Sequence, residues 1–157
     1  MLGKRGDQRG LFEADNQYLE SVGKESFYAF LASQRGVLLR DEDFADLYKE
    51  KNGRPSVPPS LLATALLLQT YDRVSDEEAK ERADFDLRWK VALGITIDNH
   101  PFAKSTLQLF RAQLVVHDKG RAVFKRAWRW PGGRDTSKGT ASCAWRWIRP
   151  TSWGGGR

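Results

Sequence analysis

The sequence predicts an all-α fold: a compact multi-helix domain, with room for a helix-turn-helix, followed by an irregular C-terminal tail. Three observations carry this expectation. Apolar residues recur at helical spacing through residues 16–126. Residues suited to start and stop helices stand at the ends of those runs. No segment alternates apolar and polar residues as a half-buried strand would.

Residues 1–15 are polar, glycine-punctuated and aperiodic, and read as a flexible N-terminus. From residue 16 to 32 the apolar positions Tyr18, Leu19, Val22, Phe27, Phe30 and Leu31 predict one helix, with Gly23 as the place where it would break. Asp41 is a candidate N-cap for a short helix reaching Tyr48, with Phe44, Leu47 and Tyr48 on its apolar side. Residues 51–56 read as a loop. Pro58 and Pro59 suit the start of a helix, where a missing N–H costs little. The run Leu61, Leu62, Ala63, Ala65, Leu66, Leu67, Leu68 and Tyr71 is apolar around almost the whole circumference, which predicts a central core helix. Ser75 and Glu78 have the spacing of a capping box for a charged helix ending near Phe85. Asp86 can cap the next, with Trp89 and Val91 packing inward and Arg88 and Lys90 exposed, and Gly94 is a natural stop. Pro101 lies in a connector over residues 95–104. Ser105 can cap a last helix with Leu107, Phe110 and Leu114 at i, i+3 and i+7.

The 157 residues have room for one domain and a tail, and the longest apolar stretch, residues 61–68, is too short to span a bilayer. Lys4 and Arg5 precede no apolar segment, so no secretory signal is visible. Cys143 is the single cysteine, which fits a reducing cytoplasm. The formal net charge of +6 invites a nucleic-acid partner. Its distribution argues for caution, because residues 127–157 hold six basic residues against one acidic and the remainder is nearly neutral. That tail also holds five of the six tryptophans, two Trp-Arg-Trp repeats and no Leu, Val or Phe. It reads as the product of a shifted reading frame. The alternatives are a disordered basic tail, or a Trp/Arg segment that stacks on single-stranded nucleic acid.

Two helices are candidate DNA readers. In the segment from Ser75 to Gly94, Arg88 and Lys90 would be the basic residues of a recognition helix; an ordinary helical hairpin is the alternative. In the helix at Ser105, the residues Lys104, Ser105, Gln108 and Arg111 combine phosphate-neutralising cations, base-reading side chains and a helix N-terminus. A capped amphipathic helix with a solvated face explains the same pattern. Arg54, in a Gly-Arg-Pro loop, could reach a phosphate. Asp76, Glu77, Glu78 and Glu81 lie in the first turns of a helix, where acids favour the dipole, so a solvated face explains them better than a metal site. His100 and His117 lack metal-ligand spacing. No Walker, HExxH or GxSxG motif and no evident triad is present. The residues give no catalytic constellation, no cofactor and no metal site.

Five motifs occur in a specific order: Gly53-Arg54-Pro55-Ser56-Val57-Pro58-Pro59, the leucine helix, Ser75-Asp76-Glu77-Glu78, Asp86-Leu87-Arg88-Trp89 with Gly94 following, and Ser105-Thr106-Leu107-Gln108-Leu109-Phe110-Arg111. Together they resemble the N-terminal domain of InsH-type bacterial insertion-sequence transposases over residues 12–126. The resemblance implies a helical domain that helps recognise the terminal inverted repeats of a mobile element in the bacterial nucleoid. It also implies a downstream RNase-H-like DDE domain, absent after Arg126, that would cut and join DNA with three acidic residues and two Mg²⁺ ions. No cofactor is implied for this chain itself. Lys104 stands where the family commonly has His and keeps a phosphate contact, whereas Gln113 stands where a second basic residue is common. The resulting expectation is a truncated transposase that binds DNA without catalysing transposition. The other outcomes are a module that associates with itself or with full-length transposase and regulates it, or an inert pseudogene product.

Overall fold

The computed structural model describes residues 2–3, 14–48, 56–121 and 125, with the side chains of residues 14–17 outside that description. The expectations for residues 1 and 4–13, for Arg54 and for the tail from 127 therefore lie outside the described residues, whereas Gly3 is buried with its N–H donating to Ser56 Oγ at 3.1 Å. Within the described residues every regular element is a helix, and no strand is present.

The segment around Gly23 forms two helices, α1 (Ala14–Val22) and α2 (Phe27–Leu38). Gly23 takes φ +89°, a left-handed conformation that ends α1 at little cost for glycine. Ser26 then caps α2, its side chain accepting from the Ala29 N–H. The second helix runs six residues past the predicted end at Ala32, because Arg35 is buried and continues its inner face.

Asp41 does not cap its own helix. Residues Asp41–Leu47 form a 3-10 helix preceded by Arg40, which makes no side-chain cap. The Asp41 carboxylate instead accepts from the Ser60 N–H at 2.9 Å. Ser60 lies in the first turn of α3 (Pro59–Asp72), whose own cap position is Pro58 and offers no side-chain acceptor. A helix start has free N–H groups and a positive dipole end, and the buried Asp41 supplies the missing anion from 19 residues upstream.

The α3 helix is the core of the fold. Every residue from Pro59 to Leu68 is buried, as its all-round apolar sequence predicts. It packs against α2, α4, α5, α6 and the 3-10 helix. Helices α4 (Asp76–Phe85) and α5 (Leu87–Leu93) follow as a hairpin turning at Asp86. Ser75 accepts from the Glu78 N–H and Asp86 from the Arg88 N–H, as their cap positions predict. Gly94 closes α5 with φ +60°. A side chain there would strike the Arg35 guanidinium, 2.0 Å from an added Cβ.

Four helices meet on Asp72 at the end of α3. Its carboxylate accepts from Tyr28 Oη at 2.6 Å, Arg82 Nη1 at 2.9 Å and Trp89 Nε1 at 2.7 Å. The Trp of Asp-Leu-Arg-Trp is fully buried, so its indole N–H needs such an acceptor. Burial and the Asp72 hydrogen bond raise the Tyr28 pKa above its ordinary value.

Helix α6 spans Lys104–Val116. Ser105 does not cap it. Ala103 occupies the cap position, without a side-chain hydrogen bond, and Ser105 is an exposed residue of the first turn. Leu107, Phe110 and Leu114 are buried at the predicted spacing.

Candidate nucleic-acid interface

Lys104, Gln108 and Arg111 stand at i, i+4 and i+7 of α6 and therefore share one edge of that helix. Leu107, Phe110 and Leu114 anchor the helix on the core beside that edge. The edge faces the first turn of α4. Arg111 donates to Asp76 through Nη1 at 3.3 Å and Nη2 at 2.5 Å, and to Gln69 Oε1 at 2.7 Å. Gln108 Nε2 lies 3.0 Å from Asp76 Oδ2, and Gln69 Nε2 lies 2.8 Å from Asp76 Oδ1. Lys104 Nζ lies 2.7 Å from Glu77 Oε2.

The two ion pairs differ in character. Arg111 and Asp76 are only 18% and 19% exposed, so their pair joins α6 to α4 in partly desolvated surroundings. Burial opposes ionisation of Asp76, but the hydrogen bonds from Arg111, Gln69 and Gln108 outweigh it and hold its pKa down to about 2. Lys104 and Glu77 are solvent-facing. Their hydrogen bond lowers the Glu77 pKa and raises that of Lys104. Such an exposed pair is screened by salt and exchanges partners readily.

The arrangement corrects one reading and adds a residue. Asp76 is not a solvated acid; it is the acceptor around which the α4–α6 junction is built. Gln69, which carries no signal in the sequence pattern, completes that junction. The pairing could not be read locally, since Asp76 and Arg111 are 35 residues apart.

The α5 candidates belong to a different neighbourhood. Arg88 is exposed, as expected, and bonds Asp86 while lying over the Tyr28 ring at 5.4 Å. Lys90 is not exposed: it is buried at 2%, and its ammonium donates to the Asn99 carbonyl. Burial lowers its pKa, since desolvation disfavours the charged form. The reason is the position of α5, which packs against α1, α2, α3 and α4 and buries every residue from Trp89 to Leu93. A helix so enclosed offers only its first turn to a groove.

Asp76, Glu77 and Glu78 of α4 do not converge on a common point. Glu78 pairs with Arg82, Glu77 with Lys104 and Asp76 with Arg111. Among the described residues no group of three or more His, Cys, Asp or Glu side chains is placed to hold a metal ion. His100 Nδ1 lies 3.2 Å from Asp84 Oδ1, beside the Phe85 ring. No described helix is long and apolar enough to cross a membrane.

Five helices and a 3-10 turn packed together with the apolar central helix α3 make an all-α domain, with donors aligned along one edge of α6. The chain belongs to the transposase domain family DUF772, which matches residues 19–113, well over half of its length. The match runs from within α1 to within α6 and includes the whole α4–α6 junction. Neither the curated proteins nor the solved structures contain a match to this chain.

Proposed function

We propose that this chain is the DNA-recognition module of an insertion-sequence transposase, and that it binds the element's terminal inverted repeats without itself cutting or joining DNA. The observation that supports this reading is the set of donors on α6. Lys104, Gln108 and Arg111 all engage carboxylate oxygens, at 2.5–3.3 Å. An edge that binds anionic oxygen within the fold offers the chemistry that binds a phosphate. Lys104 and Gln108 are exposed and can exchange Glu77 and Asp76 for DNA. Ser105, exposed in the same turn, would contact a base or phosphate beside them. Arg111 is a strut that sets the angle of α6 and reaches DNA only if the junction opens. Arg88, paired with Asp86, is a second phosphate contact, and Arg54 a third.

On this reading Mg²⁺-dependent strand transfer belongs to a DDE domain other than the one matched here, and this chain needs no cofactor. Its place is the bacterial cytoplasm, on the nucleoid.

Glu77 competes with phosphate for Lys104, and that competition gives the test. Glu77→Gln is expected to raise affinity for duplex DNA severalfold, and to do so only while Lys104 is present. An equal gain from Glu77→Gln in the Lys104→Ala background would mean that Lys104 does not touch DNA. Incubated with supercoiled plasmid and Mg²⁺, the pure chain is expected to leave the DNA intact. Divalent-dependent nicking, absent from a mock purification, would overturn the non-catalytic part.

A further inference from the structure

Among the described residues a left-handed backbone occurs at Gly23, Gly94, Asp118 and Arg73. Glycine and aspartate tolerate that conformation; arginine is a poor choice for it. Arg73 takes φ 57° and ψ 44° at the end of α3. The turn from α3 to α4 imposes those angles. The N–H groups of Arg73 and Val74 both close on the Gln69 carbonyl, a helix ending that glycine makes with least strain. The backbone therefore accounts for the φ and not for the side chain. Arg73 is exposed, and among the described residues none pairs with it. A left-handed residue that keeps a long, unpaired, charged side chain points to a use for that side chain.

We infer that Arg73 is a further phosphate contact of the DNA-binding edge on α6; the inference rests on the reading of that edge given above. Hydrogen bonds connect the turn to the edge. Gln69 Nε2 donates to the Val74 carbonyl at 3.2 Å and to Asp76 Oδ1 at 2.8 Å, while Gln69 Oε1 accepts from Arg111 at 2.7 Å. Gln108 donates to the same Asp76 carboxylate. Arg73 therefore stands one residue from the junction on which the α6 donors converge. Charge gives it a role there. Lys104 and Arg111 are matched by Glu77 and Asp76, so these four residues are together neutral. Arg73 adds a positive charge that no acid of the junction offsets. A duplex carries roughly one phosphate charge per 1.7 Å of its axis, so an edge laid against it meets several. The planar guanidinium suits that partner, because its fork of donors matches phosphate oxygens. Glycine at 73 would suit the turn better and would leave the edge without net charge.

Anisotropy titrations of a labelled duplex with the full chain, over a range of salt and beside thermal melts, test it. Arg73→Gly is expected to weaken binding severalfold and to make the slope of log K against log salt shallower by about 0.9. Its Tm is expected to stay at or above that of the wild type, since glycine relieves the left-handed backbone. Arg73→Lys keeps the charge and is expected to keep the slope. Lys104→Ala, run alongside, separates this inference from the reading beneath it. If Lys104→Ala loses affinity and slope while Arg73→Gly matches the wild type, Arg73 is no contact and the edge stands. If neither variant differs from the wild type, both fall. A lower Tm for Arg73→Gly would show that the arginine serves the fold, and would overturn the inference too.

Discussion

At the scale of single residues, Asp72 and Asp76 do most to hold the helices together, and each acts by accepting several donors at once. Asp72 is 7% exposed and satisfies Tyr28, Arg82 and Trp89. Trp89→Phe keeps most of the ring but removes one donor from a buried carboxylate. It is expected to cost about 1–2 kcal/mol, read as a fall in the Tm of purified protein, with Asp72→Ala costing more. Asp76 contributes to the pH dependence, beside Glu77 and Asp86, which are also held below their ordinary values. The folded pKa of Asp76, about 2, lies below the model-peptide value of 3.8. The unfolded chain therefore takes up the proton first. The contribution is full above about pH 4 and is lost as pH falls toward 2, a difference on the order of 2 kcal/mol. Asp76→Asn should remove this part of the acid sensitivity, so that the wild type and the variant converge in Tm below pH 2. A constant gap from pH 6 to pH 2 would show that the junction does not titrate through Asp76.

At the scale of elements, local chemistry was legible and distant pairing was not. Ser75, Asp86 and Gly94 do what their positions beside apolar runs predict, because a cap acts on N–H or C=O groups within four residues. Asp41 has the same local look, yet it caps α3 instead, since the two prolines there leave that helix without an acceptor of its own. Lys90 reads as exposed on a wheel of seven residues. It is buried because α5 is surrounded on several sides, which no property of those seven residues reveals. The polar edge of α6 was readable as an edge, but not its partners: spacing puts Lys104, Gln108 and Arg111 in line and says nothing of Asp76, Glu77 or Gln69. Gly94 joins both kinds of information. Its left-handed φ is a local need, whereas its contact with Arg35 of α2 is not. Gly94→Ala should cost at least the roughly 1–2 kcal/mol of a left-handed non-glycine residue, and the Arg35 clash adds to it. Thermal melts of the variant against Gly36→Ala, where an added Cβ meets open space, isolate that cost.

At the scale of the whole molecule, charge alone would have misled. The net charge of +6 sits mainly in residues 127–157, and most described cations of the helical body are paired with acids. A basic tail binds any nucleic acid to some degree, so bulk affinity is a poor witness for recognition by the domain. The contribution of the site proposed on α6 can be separated from the tail's by substitution. The most direct measurement is a fluorescence-anisotropy titration of the full chain on a labelled duplex carrying the terminal inverted repeat proposed above as its target. It is repeated over a range of salt for the wild type and for Lys104→Ala with Gln108→Ala. The account predicts tighter binding to the repeat than to a shuffled duplex. It also predicts a loss of affinity in the variant, with the slope of log K against log salt shallower by about 0.9 for the lost lysine contact. Equal affinity for both duplexes, or a variant whose affinity and slope match the wild type, would contradict it.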